Sequence, residues 1–512
     1  MFLKTNSSLS YYSDKSLSTN KVITVTILFF IISLIGINYH EFWLDESHNF
    51  LLARDSNSLS DLLYNSRYEG QPQLWNYIIH IITRFSNNSF YMQLLHIIIS
   101  AITVFIFLKK APFQFWFKIA FLLSYFTLYE YNIISRNYNL GVLFLFICCT
   151  LYEQRKERFT IFCFFLALSS NAHSLFVIVS GALLFSIFIE QIVRFKNIIS
   201  VLKNYWKGYL VFLIGVSISF WQIIPESDTL FFDRIDYSNI YEIAKSGMSL
   251  FKALFPIVDF SETHYWNRFY LIEHFKFISF FLGIIVWIIP FLLFNKNKHV
   301  LLFVYTVLFG FIIFMYVTQM HGTRYNGILF ITLIVGLWIL SNKKNAPFYK
   351  KDISRYNSKI ITFLMLVQII AGILAYTLDI KNTFNHGKNV AKYIQDNNIS
   401  LQQVITNCES ASINAFLPEN LYNICYLKPQ GFYLWNQNCE LFDINLQEKL
   451  IQTAFSQKTN QKTLFLILDD PLKLSTPIEI ENNIYSFSIL HTFENSVKHN
   501  YYLYKVFKNE SK

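Results

Sequence analysis

Charged residues, glycine and proline are all scarce in this sequence of 512 residues. Asp, Glu, Lys and Arg together make up 15% of the chain, whereas a soluble domain carries about 25%. The chain has only 15 glycines and 10 prolines, which are too few for a collagen, a Gly-rich linker protein or a Pro-rich disordered tail. The six cysteines form no CxxC pair and no His/Cys spacing typical of zinc. These shortages argue against a protein that is soluble throughout and against a structural zinc module.

Long apolar runs are present instead, since 53% of all residues are hydrophobic. Eleven runs approach the length of about 20 residues that a helix needs to cross a bilayer. The predicted spans are 22–39, 90–108, 112–130, 137–153, 159–172, 174–193, 208–224, 275–294, 299–318, 324–341 and 359–378. Residues 72–85 are too short to cross alone and favour an interfacial or re-entrant helix. The sequence therefore predicts a mainly α, polytopic membrane protein with a bundle of about eleven transmembrane helices.

Basic residues occur in every second loop between these runs, for example at 155–158, 194–207 and 343–359. Because Lys and Arg are retained on the cytoplasmic side, we predict that these loops and a tail of residues 1–21 are cytoplasmic. The net charge of +10 is then a signal of topology, and no nucleic-acid partner is expected. An odd number of spans places the C-terminus outside.

The last segment, residues 379–512, is predicted to be an external soluble domain. Helical periodicity around 390–394 precedes strand-like runs at 463–468 and 501–507, and such alternation is typical of an α/β domain. Three cysteines lie in this segment, and they are Cys408, Cys425 and Cys439. In an oxidising compartment they permit one disulfide, but their spacing does not select the pair.

Polar residues collect in the loops that are predicted to be external. The first of these loops, residues 40–89, carries two adjacent carboxylates beside aromatic residues, where one could act as a general base in a water-poor cleft. Arg136 lies at the mouth of a span, where it could snorkel to the interface or bind a lipid phosphate. The matched set on this one face is Asp45, Glu46, Arg136, His173, His321, Arg324 and Tyr325. Because independent solvated residues have no reason to form such a set, we predict a shared site.

Four segments resemble the bacterial membrane glycosyltransferases of the GT-C fold. They are Trp43-Leu44-Asp45-Glu46, Glu69-Gly70-Gln71-Pro72-Gln73-Leu74-Trp75, Ser135-Arg136-Asn137-Tyr138-Asn139-Leu140 and Arg324-Tyr325. The likeness covers residues 20–340 in order and spacing and looks closest to family 39, the protein-mannosyltransferase and aminoarabinose-transferase-like group, and its relatives. Gln71 departs from the family pattern, which commonly has a histidine there. The Trp-Trp-Asp motif of oligosaccharyltransferases is absent.

The resemblance implies that residues 22–378 transfer a sugar from a polyprenyl-phosphate donor to an acceptor hydroxyl or amine at the outer face of a bacterial inner membrane. Direct displacement would invert the anomeric carbon. Asp45 is the implied general base, and Glu46 would orient the acceptor, the base or a divalent ion such as Mg²⁺ or Mn²⁺. The implied ligands of the donor phosphate are Arg136, Arg324 and Tyr325. Further candidates for substrate binding are Tyr138, His173, His321, Glu69 and Gln71.

The same interpretation makes the external segment 225–274 a lid over the site, because loops of that length in compact proteins are commonly functional. The acceptor stays open between a protein, a lipid and a polysaccharide. Two other classes also stay open. One is a transporter or flippase of lipid-linked sugars, which usually has internal repeats and Gly-interrupted helices that are not evident here. The other is a non-catalytic assembly protein of the cell envelope.

Overall fold

The computed structural model describes residues 17–229, 241–341, 355–407, 411–435, 447–458, 461–474, 476–480 and 483–509. Most of the predicted N-terminal tail and of the basic loop at 343–359 lies outside these residues. The helices are α1 (Thr19–Tyr39), α2 (Leu44–Asp55), α3 (Leu59–Asn65), α4 (Leu74–Thr83), α5 (Phe90–Lys110), α6 (Phe115–Leu122), α7 (Tyr138–Leu151), α8 (Phe159–Ser170), α9 (Ser174–Phe195), α10 (Ile198–Ile223), α11 (Tyr241–Ser249), α12 (Tyr270–His274), α13 (Lys276–Phe294), α14 (Lys298–Thr318), α15 (Thr323–Ser341), α16 (Arg355–Lys381), α17 (Gly387–Asp396), α18 (Ala411–Asn414) and α19 (Gln447–Gln457).

Eight of the described helices are long and apolar enough to cross a membrane, namely α1, α5, α9, α10, α13, α14, α15 and α16. Each coincides with one of the eleven predicted spans. The other three predicted spans, at 112–130, 137–153 and 159–172, are also helical but shorter. α8 has 12 residues and rises only about 18 Å, against roughly 30 Å for a hydrocarbon core. The protein is therefore mainly α and polytopic, as predicted, with full-length spans and shorter helices packed against them.

The third predicted span is broken near its middle, and this break shapes the site described below. Tyr125–Glu130 form one turn of π-helix. Tyr131 N donates to Phe126 O at 2.8 Å, which is the i to i+5 pattern of such a turn. Gly372 of α16 packs against the break, where a Cβ would collide with the Leu123 carbonyl oxygen. The apolar composition continues across this segment, so the sequence predicted an unbroken span.

The segment between α1 and α5 folds into three short helices. α4 corresponds to the predicted interfacial helix at 72–85. α2 carries Asp45 and Glu46 in its first turn and Arg54 in its last, and this arrangement of charges is favourable for the helix dipole. Asp45 therefore belongs to a helix rather than to a flexible loop.

The C-terminal segment forms an α/β domain, as predicted. Its strands are β1 (Val404–Thr406), β2 (Tyr422–Asn423), β3 (Lys428–Pro429), β4 (Thr463–Leu468), β5 (Ile478–Ile480), β6 (Asn483–Phe493) and β7 (Tyr501–Asn509). They form one sheet in the order β3-β2-β1-β4-β7-β6-β5. β1 is parallel to β2 and β4, and the other pairs are antiparallel. Leu464 and Leu466 pack with α19, whereas Ile467 packs with α17, so the alternation of β4 supplies a core on each face of the sheet.

The α/β domain is docked on α2. Arg54 Nη1 donates to Asn414 O at 3.0 Å and to Leu417 O at 3.1 Å. Asn420 Nδ2 donates to Asp55 Oδ2 at 2.8 Å. Because the guanidinium group binds backbone carbonyls, the end of α2 is fixed to the polypeptide of the domain and not only to its side chains.

Cys425 of the α/β domain is disulfide-bonded. Cys408 and Cys439, the other two of the three cysteines that permit one disulfide, lie outside the described residues. Cys148, Cys149 and Cys163 are buried thiols. The compartment in which the domain lies stays a prediction.

Candidate functional site

Asp45, Arg136 and Arg324 form one ion-pair cluster. Asp45 lies in the first turn of α2, Arg136 follows the π-helical turn, and Arg324 lies in the first turn of α15. Asp45 Oδ2 is in direct contact with Arg136 Nη1 and lies 3.0 Å from Arg324 Nη1. Three residues that the sequence predicted as one site are thus brought together from three separated elements.

The cluster carries one excess positive charge. Burial would raise the pKa of Asp45, but the charges of Arg136 and Arg324 outweigh it and lower that pKa, so the carboxylate is ionised at neutral pH. The side chain of Asp45 keeps 26% of its surface exposed, whereas that of Arg136 keeps 7%. The guanidinium groups are therefore held in a largely buried position, and the carboxylate that joins them is the most exposed member of the cluster.

Aromatic rings fix the second arginine. The guanidinium carbon of Arg324 lies 5.3 Å from the Trp43 ring centroid and 5.1 Å from that of Tyr325. Arg324 Nη2 also donates to Tyr325 OH at 3.2 Å, and Tyr131 OH donates to Arg324 O at 2.5 Å. Cation–π contact and hydrogen bonds together hold the guanidinium group in one orientation. Tyr325, which was predicted as a ligand of the donor phosphate, thus contacts Arg324, and its binding of phosphate stays a prediction.

His173 contributes a hydrogen-bond donor of fixed orientation. Its Nδ1 accepts from Leu175 N at 3.0 Å at the start of α9, so the proton of the neutral ring lies on Nε2. Burial, together with the charges of Arg136 and Arg324, lowers the pKa of His173 well below its ordinary value. The ring therefore stays neutral, and its centroid lies 4.6 Å from that of Tyr138.

Buried polar atoms without a hydrogen-bond partner among the described residues are concentrated around this cluster. They include Trp43 Nε1, Ser135 Oγ, Arg136 Nε, Asn137 Oδ1, Tyr138 OH, His173 Nε2, Thr323 Oγ1 and Arg324 Nε. Buried polar atoms of folded proteins normally have a partner. This concentration is typical of a site that binds a polar ligand.

Glu46 is fully buried and belongs to a structural network instead. Its Oε2 lies 2.9 Å from His40 Nε2, and its Oε1 accepts from Ser135 N at 2.6 Å. His40 Nδ1 lies 3.0 Å from Asp379 Oδ2. Burial would lower the pKa of His40, but Asp379 and Glu46 raise it well above its ordinary value. Glu46 therefore links α2 to the ends of α1 and α16, and its role in orienting the acceptor or the base stays a prediction.

Glu69 and Gln71 lie around the edge of the site. Glu69 Oε1 lies 2.6 Å from His48 Nε2, and His48 Nδ1 accepts from Tyr433 N at 3.0 Å. Glu69 thus supports a contact between α2 and the α/β domain. Gln71 Oε1 accepts from Asn137 Nδ2 at 3.1 Å, beside the arginine of the Ser-Arg-Asn-Tyr segment.

His321 contacts the segment that was predicted to be a lid. Its Nε2 lies 3.1 Å from Ser246 Oγ, and its carbonyl oxygen accepts from Lys252 Nζ at 2.8 Å. Burial lowers the pKa of His321 and lowers that of Lys252 to about 8. Residues 230–240 of the predicted lid lie outside the described residues, and its closing function stays a prediction.

The predicted divalent ion does not fit the two carboxylates that were suggested for it. Asp45 is paired with two guanidinium groups, and Glu46 is enclosed in the His40 network. In the described part of the chain, no three His, Cys, Asp or Glu side chains are grouped as metal ligands.

Sequence analysis missed Trp266 and Lys498. The Trp266 ring packs edge-on against Trp43, with centroids 4.7 Å apart, and its Nε1 donates to Glu130 Oε2 at 3.1 Å. Lys498 Nζ, from the loop between β6 and β7, lies 4.5 Å from the Trp266 ring centroid. Neither residue is part of a motif, and aromatic residues are so frequent in this chain that Trp266 carried no signal.

The fold and the site together define a polytopic helical membrane protein in which a largely buried cationic cluster adjoins an α/β domain. No protein-family model matches the chain, and no curated protein matches it. Among solved structures, the crystal structure of ArnT from Cupriavidus metallidurans bound to undecaprenyl phosphate is similar over 94% of this chain and 97% of that one, with 9% sequence identity and a TM-score of 0.48. A similarity at this level carries no functional argument, so the function has to follow from the site.

Proposed function

We propose that the protein transfers a sugar from a polyprenyl-phosphate donor to an acceptor hydroxyl or amine at the outer face of a bacterial inner membrane. The observation that carries the proposal is the cluster in which Asp45 Oδ2 joins Arg136 and Arg324. A general base and two phosphate ligands are the groups that such a transfer needs, and here they share one partly open position.

Binding of the donor is an exchange of anions. In the free protein, Asp45 occupies guanidinium N–H groups that match phosphate oxygens equally well. A donor phosphodiester that takes over these groups releases the carboxylate from its ion pairs. The released Asp45 is then ionised, close to the phosphate and able to accept a proton.

The transfer itself is one displacement. The acceptor oxygen or nitrogen bonds to the anomeric carbon as the bond from that carbon to the phosphate oxygen breaks. Asp45 takes the acceptor proton, and the electron pair of the broken bond leaves with the polyprenyl phosphate. Arg136 and Arg324 stabilise the charge that grows on that phosphate. The Nε2–H of neutral His173 is a further hydrogen-bond donor, and its orientation is fixed because Nδ1 of the ring caps the start of α9.

The geometry also favours this proposal over an anchoring role for the arginines. Anchoring arginines extend separately towards the interface, whereas Arg136 and Arg324 converge on one carboxylate. The buried donors around them lack partners among the described residues, and a phosphate-linked sugar would supply acceptors for them. The motif resemblance over residues 20–340 supports the same chemistry.

Envelope glycans of a deletion strain would test the proposal whichever sugar is transferred. Mass spectrometry should detect the loss of one sugar from an envelope glycan, together with accumulation of its polyprenyl-phosphate form. Complementation with Asp45→Asn should fail, whereas the matched control Asp61→Asn, which changes an exposed carboxylate of the same external segment, should restore the glycan. Restoration by Asp45→Asn would instead favour a non-catalytic assembly protein, and donor accumulation confined to the inner leaflet would favour a flippase.

A further inference from the structure

The loop between β6 and β7, residues 494–500, contacts the segment that follows α16 and His264 of the membrane domain. Val497 N donates to Thr383 O at 2.9 Å, and Lys498 N donates to Phe384 O at 3.0 Å. The Val497 carbonyl oxygen also lies 2.7 Å from His264 Nδ1. Backbone groups make these contacts, so the position of the loop does not depend on which side chain follows Val497.

This attachment places the ammonium group of Lys498 over two tryptophans of the site. Lys498 Nζ lies 4.5 Å from the Trp266 ring centroid and 5.8 Å from the Trp43 ring centroid. Both distances are within the roughly 6 Å range of a cation–π contact. Trp43 also contacts Arg324, so one indole ring lies close to both cations.

The surroundings of Lys498 compensate its charge only in part. Burial and the charge of Arg324 lower its pKa, whereas Asp45 and Glu130 act in the opposite direction. Within the described residues, no carboxylate is close enough to Lys498 Nζ to form an ion pair with it. Trp43 Nε1 belongs to one of the two rings that Lys498 contacts; it is buried and has no hydrogen-bond partner among the described residues.

We propose that Lys498 binds the phosphate of the polyprenyl carrier as a third cation, so that the α/β domain completes the site. This inference rests on the proposed function. The donor is a phosphodiester with one negative charge, and the leaving group is a phosphomonoester whose charge at pH 7 is about −1.5 to −2. Arg136, Arg324 and Asp45 together supply one excess positive charge, and Lys498 supplies the second. Lys498 therefore matters most for the leaving group.

Lys498→Met tests this assignment, because methionine keeps an apolar stem on the tryptophans and removes only the charge. Purified full-length protein in nanodiscs would be titrated with polyprenyl monophosphate and, as a neutral probe, with polyprenol. We expect about tenfold weaker binding of the monophosphate, the effect of losing one charge-assisted hydrogen bond, with unchanged binding of polyprenol. Lys498→Arg should restore most of the affinity, and the control Lys508→Met, at an exposed position of the same hairpin, should bind like the wild type.

The outcomes separate the two proposals. Wild-type selectivity for the monophosphate that persists in Lys498→Met would overturn the role of Lys498 and leave the proposed function standing. A wild type that binds polyprenol as tightly as the monophosphate would overturn both. If Lys498→Met is poorly folded, Lys498→Gln provides the same charge removal, and melting temperatures identify the variant that can be interpreted.

Discussion

Replacing Asp45 by asparagine should change turnover and phosphate affinity in opposite directions. Asparagine has nearly the same size but cannot take a proton from the acceptor, so turnover should fall by about 10²- to 10⁴-fold. The affinity for polyprenyl monophosphate should rise, because the phosphate no longer competes with a carboxylate for the two guanidinium groups. If Asp45 acted only by positioning the arginines that bind the phosphate, Asp45→Asn would instead lower turnover and affinity together.

The size of the affinity gain follows from the contacts of Asp45. Its Oδ2 contacts Arg136 and lies 3.0 Å from Arg324, and a hydrogen bond to a charged group contributes about 1.5–3 kcal/mol. Because 26% of the carboxylate side chain is exposed, screening reduces this value, and we take the lower end for one contact. About 1.5 kcal/mol corresponds to roughly tenfold tighter binding.

Both quantities can be measured on the same nanodisc preparation. Release of polyprenyl phosphate from a panel of polyprenyl-phosphate sugars, in the presence of an envelope extract as the source of acceptor, gives turnover, and titration with the monophosphate gives affinity. Asp61→Asn is the matched control and should change neither. If Asp45→Asn lost affinity for the monophosphate, the exchange of anions described above would be wrong, and if it kept full turnover, Asp45 would not be the base.

Three further results are expected. Arg136→Lys and Arg324→Lys should each lower turnover more than they lower thermal stability, because lysine keeps the charge but loses the planar fork that matches phosphate. Equal relative losses of turnover and of thermal stability, measured by melting, would indicate that the arginines act as anchors. His40→Ala should cost about 3–5 kcal/mol of stability, because it leaves buried carboxylates uncompensated. Since the folded-state pKa of His40 is raised, its stabilising contribution is full at low pH and is lost as the pH rises through that pKa, so the difference in melting temperature from the wild type should narrow with rising pH. In a background without free cysteines, an impermeant maleimide applied to intact cells should label Asp61→Cys and not Lys156→Cys, and the reverse pattern would invert the topology.

The fold was largely predictable because membrane spans depend on composition alone. A run of apolar residues as long as α9 or α14 has few stable alternatives in a bilayer. The break at Tyr125–Glu130 could not be predicted in this way, since π-helical turns are a response to packing and leave the hydropathy unchanged. The sheet order was equally inaccessible, because it depends on pairings between strands that are distant in the sequence.

The candidate site was predictable where charge is costly. Asp45, Arg136 and Arg324 attracted attention because ionised residues beside apolar runs need a reason to be there. Glu46 was predicted to orient the acceptor, the base or a divalent ion, and its contact with His40 was not predictable from its position next to Asp45, because successive residues of a helix point about 100° apart. Lys498 belongs to no sequence motif, and its contact with Trp43 arises only in the folded chain, so no local pattern could predict it.

The hydrogen bonds that Arg54 donates to the α/β domain have a consequence for protein engineering. α2 has 12 residues and is a rigid helix of about 18 Å, with the proposed base at one end and Arg54 at the other. Grafting a foreign C-terminal domain onto residues 17–381 would remove the carbonyl groups of Asn414 and Leu417 and leave Arg54 without these acceptors. The two halves of the chain are therefore not interchangeable modules, and a functional chimera would have to exchange α2 together with the domain that it holds.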